Sequence, residues 1–463
     1  MSLKFKVQNL GKIEDAEINI NPLTVITGPN GTGKSFFTKT IYSIFRIIED
    51  TPLISEILSL FEQAKYAFNH EQCSIDECSE AEKEAITSIF KLMEEFSETL
   101  IPPYIESQVN LNIISKFKKK LYSNFIVINT ENENPDYIDH KKYRVFENNC
   151  LASLNSSIGL AITFMSDASF SHKYLIENKL LDEIKDNFQI ESSKKIISHN
   201  SDSMHLELDS YFDLVIKSNA DKERATIKIN QKELEFFKNK PRSVFFESPA
   251  YWRVRDALVD AKMKSESGYL SGVPKYFFDL DSALRKKSTK SSDLLMVHDQ
   301  IRSNIGGEFN ISNGNIVFFD ESSQSEISKN LISFGMTNLG MVNALIKNNV
   351  IQKGSYVFID EPETNLHPDW QVLMIKVLVQ LSQAGVNVII NTHSTEILKY
   401  IEVRFSQIAK EQGADSVKEL LSVNYLDIDG TNFEFDSACP IEQVKEALTE
   451  LSSPYMNMYM GNV

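Results

Sequence analysis

The stretch Gly28-Pro29-Asn30-Gly31-Thr32-Gly33-Lys34-Ser35 fits the pattern G-x-x-x-x-G-K-[ST], and it constrains this chain more than any other feature. It follows Leu23-Thr24-Val25-Ile26-Thr27, a short β-branched run that reads as a buried strand. A helical stretch, Lys34 to Ile47, comes next. Glycines in such a turn let backbone N–H groups curl around the oxygens of an anion, and the following helix turns its positive end toward the same charge. The pattern therefore implies a nucleoside-triphosphate site. Asn30, Gly31, Thr32, Gly33 and Phe36 are its expected lining, Lys34 reaches the β- and γ-phosphates, and the Ser35 hydroxyl is placed to ligate Mg²⁺.

Two later segments have the chemistry such a site needs. Tyr356-Val357-Phe358-Ile359 is apolar throughout and ends in Asp360-Glu361, a buried strand carrying two acids to the edge where open α/β sheets bind ligands. Asp360 is expected to hold Mg²⁺, largely through water, and Glu361 to polarise the attacking water. Val386 to Ile390 reads as a second buried strand, followed by Asn391-Thr392-His393-Ser394. His393 lies 33 residues beyond Asp360, which leaves room for one crossover helix between parallel strands. A histidine there can hydrogen-bond a γ-phosphate.

The rest of the chain frames these motifs. Ile54, Ile57, Leu58, Phe61, Ala64 and Phe68 recur at helical spacing, and a second helix opens with Ser79 and Glu82 in capping-box order. That helix is expected to stop at Pro102-Pro103, giving a helical hairpin too short for a long coiled-coil arm. Residues 104–200 read as mostly helical without placed boundaries. Strands are expected around 204–230, with a polar turn from Ser218 to Glu223, and again at Ser243 to Phe246. Asn313-Gly314 lies between two strand-like runs as a hairpin turn. The resulting division is 1–48, the first part of the head; 49–200, a mainly helical insertion; 201–300, a strand-containing return; and 301–463, the second part of the head.

Composition excludes several classes. The 463 residues are 42% hydrophobic and 24% charged, unlike disordered or collagen-like chains. No apolar run reaches the ~18 residues of a membrane span, and no secretory signal core is evident. Four cysteines in so long a chain make no disulfide framework, so a reducing cytoplasm is expected. Cys73 and Cys78 lack the neighbouring ligands of a zinc site. Against 48 Lys and Arg stand 64 Asp and Glu, a net charge of −16. That balance disfavours nucleic acid, which needs a basic face to displace counterions, and it suits protein partners. The basic clusters Lys116 to Lys120 and Arg285 to Lys290 read as solvated faces.

Asp360-Glu361-Pro362-Glu363-Thr364-Asn365-Leu366-His367-Pro368, together with the phosphate loop and Asn391-Thr392-His393-Ser394, resembles the ABC-type ATPases of the OLD, RecF and SMC group. More narrowly, it is similar to the ATPase subunits of bacterial phage-defence systems such as Septu and PARIS. The resemblance covers residues 1 to about 48 and about 240 to 435. It implies an α/β ABC-type head with a mixed sheet, ATP and Mg²⁺ as ligands, and Lys34, Glu361 and His393 as catalytic residues. It also implies a head-to-tail dimer in which Ser333 and Gly335, from Ser333-Phe334-Gly335-Met336-Thr337-Asn338, meet the partner's γ-phosphate. Met336 departs from the polar residue usual in that signature. The expected glutamine loop is occupied by Ser243-Val244-Phe245-Phe246-Glu247-Ser248-Pro249, with Glu247 or Ser248 as substitutes, and Arg253 and Arg255 following.

The function implied is an ATP-hydrolysing sensor or scaffold that answers a phage-derived trigger and controls a separate effector, a nuclease or toxin. A DNA-repair ATPase of the RecF or SMC kind is the alternative. Asp427-Ile428-Asp429-Gly430 resembles the D-x-D of Toprim nucleases, yet between Val423 to Leu426 and Asn432 to Phe435 it reads as a hairpin with an Asp-Gly turn.

Overall fold

A computed structural model describes residues 2–49, 52–70, 78–99, 108–129, 149–209, 211–219, 222–229, 243–247, 250–264, 270–286, 292–312 and 315–460. The chain divides into two compact units, one of Met1–Arg46, Leu180–Asn230 and Lys240–Val463, the other of Ile47–Lys179 and Gln231–Asn239.

The first unit contains three sheets. Its centre is a five-stranded parallel sheet of β3 (Leu23–Thr27), β7 (Val244–Phe246), β11 (Tyr356–Asp360), β12 (Asn387–Asn391) and β13 (Leu421–Tyr425), in the order β13-β3-β12-β11-β7. These strands are short apolar runs because helices cover both faces, so no alternation is needed. Tyr42 and Phe45, on the helix Lys34–Glu49, meet Phe245, Tyr356 and Phe358 of the sheet edge-on or tilted, at centroid distances of 4.7 to 6.1 Å. Burying each such ring contributes roughly 1.5–3 kcal/mol, which fixes the helix that opens the phosphate loop onto the sheet.

A second, antiparallel sheet runs β2 (Ile13–Ile20), β1 (Leu3–Leu10), β4 (Ser203–Leu208), β5 (Phe212–Asn219), β6 (Lys222–Ile229). Here burial alternates along β2, with Ile13, Ala16, Ile18 and Ile20 inward and Glu17 and Asn19 exposed, as a sheet wetted on one face requires. Strands β5 and β6 pair as far as Asn219 and Lys222, so both strands extend into the expected Ser218-to-Glu223 turn. A third sheet, β10 (Ser325–Ser328), β9 (Asn315–Asp320), β8 (Gly307–Ser312), contains the Ser312–Asn315 pairing that a two-residue turn demands.

The second unit is helical. Pro52–His70, Glu80–Thr99, Gln108–Asn129 and Asn149–Ser166 share a core that includes Ile57, Ala64, Ile89, Met93, Phe96, Ile158 and Ala161. The capping box forms: Glu82 N–H donates to Ser79 Oγ (3.3 Å), and Ser79 N–H donates to Glu82 Oε2 (2.7 Å). Pro102-Pro103 and Cys73 lie outside the described residues. The first stretch of the helical unit is Ile47–Lys179. Leu180 and Ile184, on the second half of the helix Ala168–Phe188, are buried in the first unit, where Asn187 Nδ2 donates to Ser43 Oγ (2.9 Å). Among the described residues no helix is long and apolar enough to cross a membrane.

The C-terminal segment differs from a free hairpin. Val423 to Tyr425 belong to β13 and pair in parallel with β3, and the chain also turns back past Gly430, with a Leu426–Asn432 bridge and the Asp427 and Phe433 N–H groups donating to the Thr431 (2.9 Å) and Tyr425 (3.0 Å) carbonyls. A short apolar run is equally compatible with a hairpin arm and with a buried parallel strand, and the neighbouring Asp-Gly turn tilted the reading toward the former.

Candidate nucleotide site

Strands β3, β11 and β12 end side by side, and their C-terminal ends bring three distant segments together. Thr27 leads into the phosphate loop, where Gly28 has φ +131°. A β-carbon there would collide with the Leu426 carbonyl, so the turn after β13 holds the loop from behind. Lys34 Nζ donates to the carbonyls of Gly28 (2.8 Å) and Pro29 (2.7 Å). Its burial lowers the ammonium pKa to about 8, against the pull of Asp360, Glu361 and Glu363.

Ser35 Oγ donates to Asp360 Oδ1 at 3.1 Å, joining residues 325 apart in sequence. Asn391, the last residue of β12, donates from Nδ2 to the same Asp360 oxygen (3.0 Å) and to Thr38 Oγ1 (2.7 Å). Burial pushes the Asp360 carboxyl above its usual range, although both hydrogen bonds oppose the shift. A partly buried carboxylate facing a serine hydroxyl is the donor set that suits a hard, oxygen-loving cation retaining most of its waters. Among the described residues no cluster of three or more His, Cys, Asp or Glu forms a protein-only metal site.

Glu361 has φ +52°, a conformation unusual for a residue with a β-carbon. Its N–H donates to the Asn391 carbonyl (2.9 Å), Thr364 Oγ1 donates to its Oε2 (3.0 Å), and His393 Nδ1 lies 3.5 Å from its Oε1. Half-exposed, the carboxylate points into the cleft beside the histidine. Glu363 is partly buried, its Oε1 accepting from Thr392 Oγ1 (2.8 Å), and desolvation raises its pKa.

The cleft itself measures about 510 Å³, and Asn30 to Phe36, Asp360, Glu361 and His393 all line it. Ser333 and Gly335 do not. Ser333 caps the helix Phe334–Lys347, its Oγ accepting from Met336 N–H (3.3 Å), and Gly335 packs so closely that a β-carbon would lie 2.9 Å from Leu366 Cδ2. Glu247 occupies the glutamine-loop position, where Oε1 accepts from Lys39 Nζ (2.8 Å) and Oε2 from the Tyr276 hydroxyl. Ser248 lies outside the described residues. Arg255 is neither a surface residue nor a phosphate ligand: it is 1% exposed and paired with Asp281 and Asp256. Asp427 and Asp429 spend their carboxylates on their own turn, accepting from Ile428 N–H (2.7 Å) and from Thr431 N–H (3.0 Å) and Oγ1 (2.8 Å).

Sequence reasoning did not foresee the clamp made by Thr38 and Asn391, whose only signal was a polar residue ending an apolar strand. It also missed Lys12, Lys194, Lys195 and His199, which line the same cleft.

A family model described as AAA ATPase domain (AAA_15) matches residues 1–398. The chain belongs to that ATPase family. ATP is accordingly the nucleotide this ATPase binds and hydrolyses. Among solved structures it is similar, at 10% identity and a TM-score of 0.34, to the SMC head domain from Thermotoga maritima, covering 86% of this chain and 92% of that one. An ATP-binding cassette of an ABC transporter in its ADP conformation gives the same identity and score, with 99% of each chain covered. The Smc head domain from Pyrococcus furiosus, bound to the C-terminal domain of ScpA, gives 10% identity, a TM-score of 0.30, and coverage of 97% and 100%. Comparison with curated proteins gave no match.

Proposed function

We propose that this ATPase cleaves the γ-phosphate of ATP in the cleft between the phosphate loop and Asp360-Glu361, with Mg²⁺ held by Ser35 and Asp360. The observation that carries this reading is the Ser35–Asp360 contact, which joins loop and acidic strand in one pocket. Bound Mg²⁺ supplies charge neutralisation on the phosphates. Lys34 adds a cation at the β- and γ-phosphates, Glu361 accepts the proton of the attacking water, and His393 holds Glu361 and the γ-phosphate in place. Ser333 and the Gly335 backbone act on the nucleotide of a second copy, and the exposed position of Ser333 leaves its helix end accessible for that role. Glu247, tethered to Lys39, stands in for the missing glutamine.

In the cell, the reading that the motifs support best is a nucleotide-gated sensor or scaffold of a bacterial phage-defence system, controlling a separate nuclease or toxin. Two measurements test it. Glu361→Gln keeps ATP bound while turnover falls about 10²–10⁴-fold, and normal turnover in that variant would refute the base assignment. Lys34→Ala in the native gene neighbourhood abolishes protection in a plaque assay. Unchanged protection removes the defence role, and salt-resistant binding to duplex DNA would instead favour a repair ATPase.

A further inference from the structure

The cleft has a wall that no motif accounts for. Residues Ser193–Ile196 form a single 3₁₀ turn, which is tied by its backbone to the β1–β2 turn. Gly11 N–H donates to the Ile196 carbonyl (2.7 Å), Ser198 N–H donates to the Asn9 carbonyl (3.0 Å), and Ser198 Oγ donates to the Gly11 carbonyl (2.8 Å). On its other side the turn is anchored by Ser193 N–H donating to Glu223 Oε1 (3.0 Å), while Glu223 Oε2 takes Lys185 (2.5 Å). The backbone that carries Lys194 and Lys195 is therefore fixed, and both residues line the cleft together with Lys12. Among the described residues none of these three lysines has a carboxylate within ion-pair distance. Three lysines on one wall of a cavity, in a chain of net charge −16, give that wall a local positive field that draws anions.

The loop residues that line the cleft identify the anion. Ser35 turns toward Asp360, whereas the ring of the next residue, Phe36, packs against Gly11, where a β-carbon would lie 2.6 Å from it. The lysine wall thus adjoins the phosphate loop on its Phe36 side. We propose that Lys194 and Lys195, with Lys12, form a second cationic grip on the phosphates of the bound nucleoside di- or triphosphate. The inference rests on the phosphate-loop cleft being the nucleotide site. A grip on the phosphates that ADP and ATP share acts on both alike, so it sets nucleotide affinity and not the rate of cleavage.

The test titrates fluorescent mant-ADP and mant-ATP into the full-length protein, the Lys194→Ala/Lys195→Ala double variant, the Lys194→Arg/Lys195→Arg variant and Lys34→Ala. The double alanine variant should bind both nucleotides about tenfold or more weakly. Its affinity should depend less steeply on salt than the parent's, and its hydrolysis should lose more in KM than in kcat. The arginine variant, which keeps the charge, should restore binding. Affinity in the double alanine variant within about twofold of the parent, or arginine failing to rescue, overturns the grip and leaves the cleft assignment standing. If the parent itself binds neither nucleotide, or if Lys34→Ala binds as the parent does, the cleft assignment fails and the grip with it.

Discussion

Glu361 is held at φ +52° by three partners: the Asn391 carbonyl, Thr364 and His393. A backbone in this region costs of order 1–3 kcal/mol when a β-carbon is present, and here the strain aims a carboxylate into the cleft. Glu361→Gly should therefore raise the melting temperature while abolishing hydrolysis, and a drop in melting temperature would show the backbone to be relaxed. Lys34 carries a second stored cost. Its folded pKa of about 8 lies below the ordinary 10.5, so between those values the unfolded chain binds more protons than the folded one. Stability then rises as pH climbs through that window, and below pH 8 the penalty for the buried ammonium is fully present. Nucleotide phosphates favour the charged form, so affinity for mant-ADP should weaken from pH 7.5 to 9, with proton uptake on binding visible by calorimetry in buffers of different ionisation enthalpy. Equal affinity at both pH values would mean that Lys34 stays charged throughout. These residues were legible because each sits in a short pattern of fixed chemistry. Their partners were not: Thr38, Asn391 and Thr392 act through contacts that only the sheet's register creates.

At the level of elements, the turn after β13 does more than reverse the chain. Gly430, at φ +83°, lies against the β1–β2 turn, where a β-carbon would run into the Lys12 carbonyl, and Glu14 N–H donates to the Gly430 carbonyl (2.9 Å). Gly430→Ala should destabilise the protein by about 1–3 kcal/mol and weaken nucleotide binding by shifting the wall of the cleft. A melting temperature unchanged in that variant would show the close approach to be relieved by a small adjustment. Strands β3, β11 and β12 and their following helices could be read directly, since short continuous apolar runs bounded by turn residues mark them clearly. The place of β13 could not, because whether an apolar pentapeptide pairs with its sequence neighbour or with a strand four hundred residues away is decided by long-range packing alone. The 3₁₀ turn at 193–196 has too few residues for any periodicity to reveal it.

For the whole molecule, the proposed pairing of two copies is what remains to be measured. Ser333 and Gly335 do not line the cleft of their own chain, and the proposal gives them to the nucleotide of a second copy. Glu361→Gln with ATP and Mg²⁺ should consequently double the mass measured by light scattering, and the Ser333→Arg change added to it should return the monomer. A monomer under all conditions would remove the head-to-tail arrangement. Motif spacing suggests a two-part head and a helical insertion, but it marks no point within the helix Ala168–Phe188, which passes through the division at Lys179 without a break.

The order of strands in the parallel sheet, β13-β3-β12-β11-β7, has a consequence for synthesis. The strand that launches the phosphate loop has β12 and β13 as its two neighbours, and both are made more than 350 residues later. At about 5–20 residues per second, a nascent chain spends many seconds with this buried strand exposed and no lateral support. Nucleotide cannot help it fold during that interval, because the carboxylates that complete the pocket have yet to be translated.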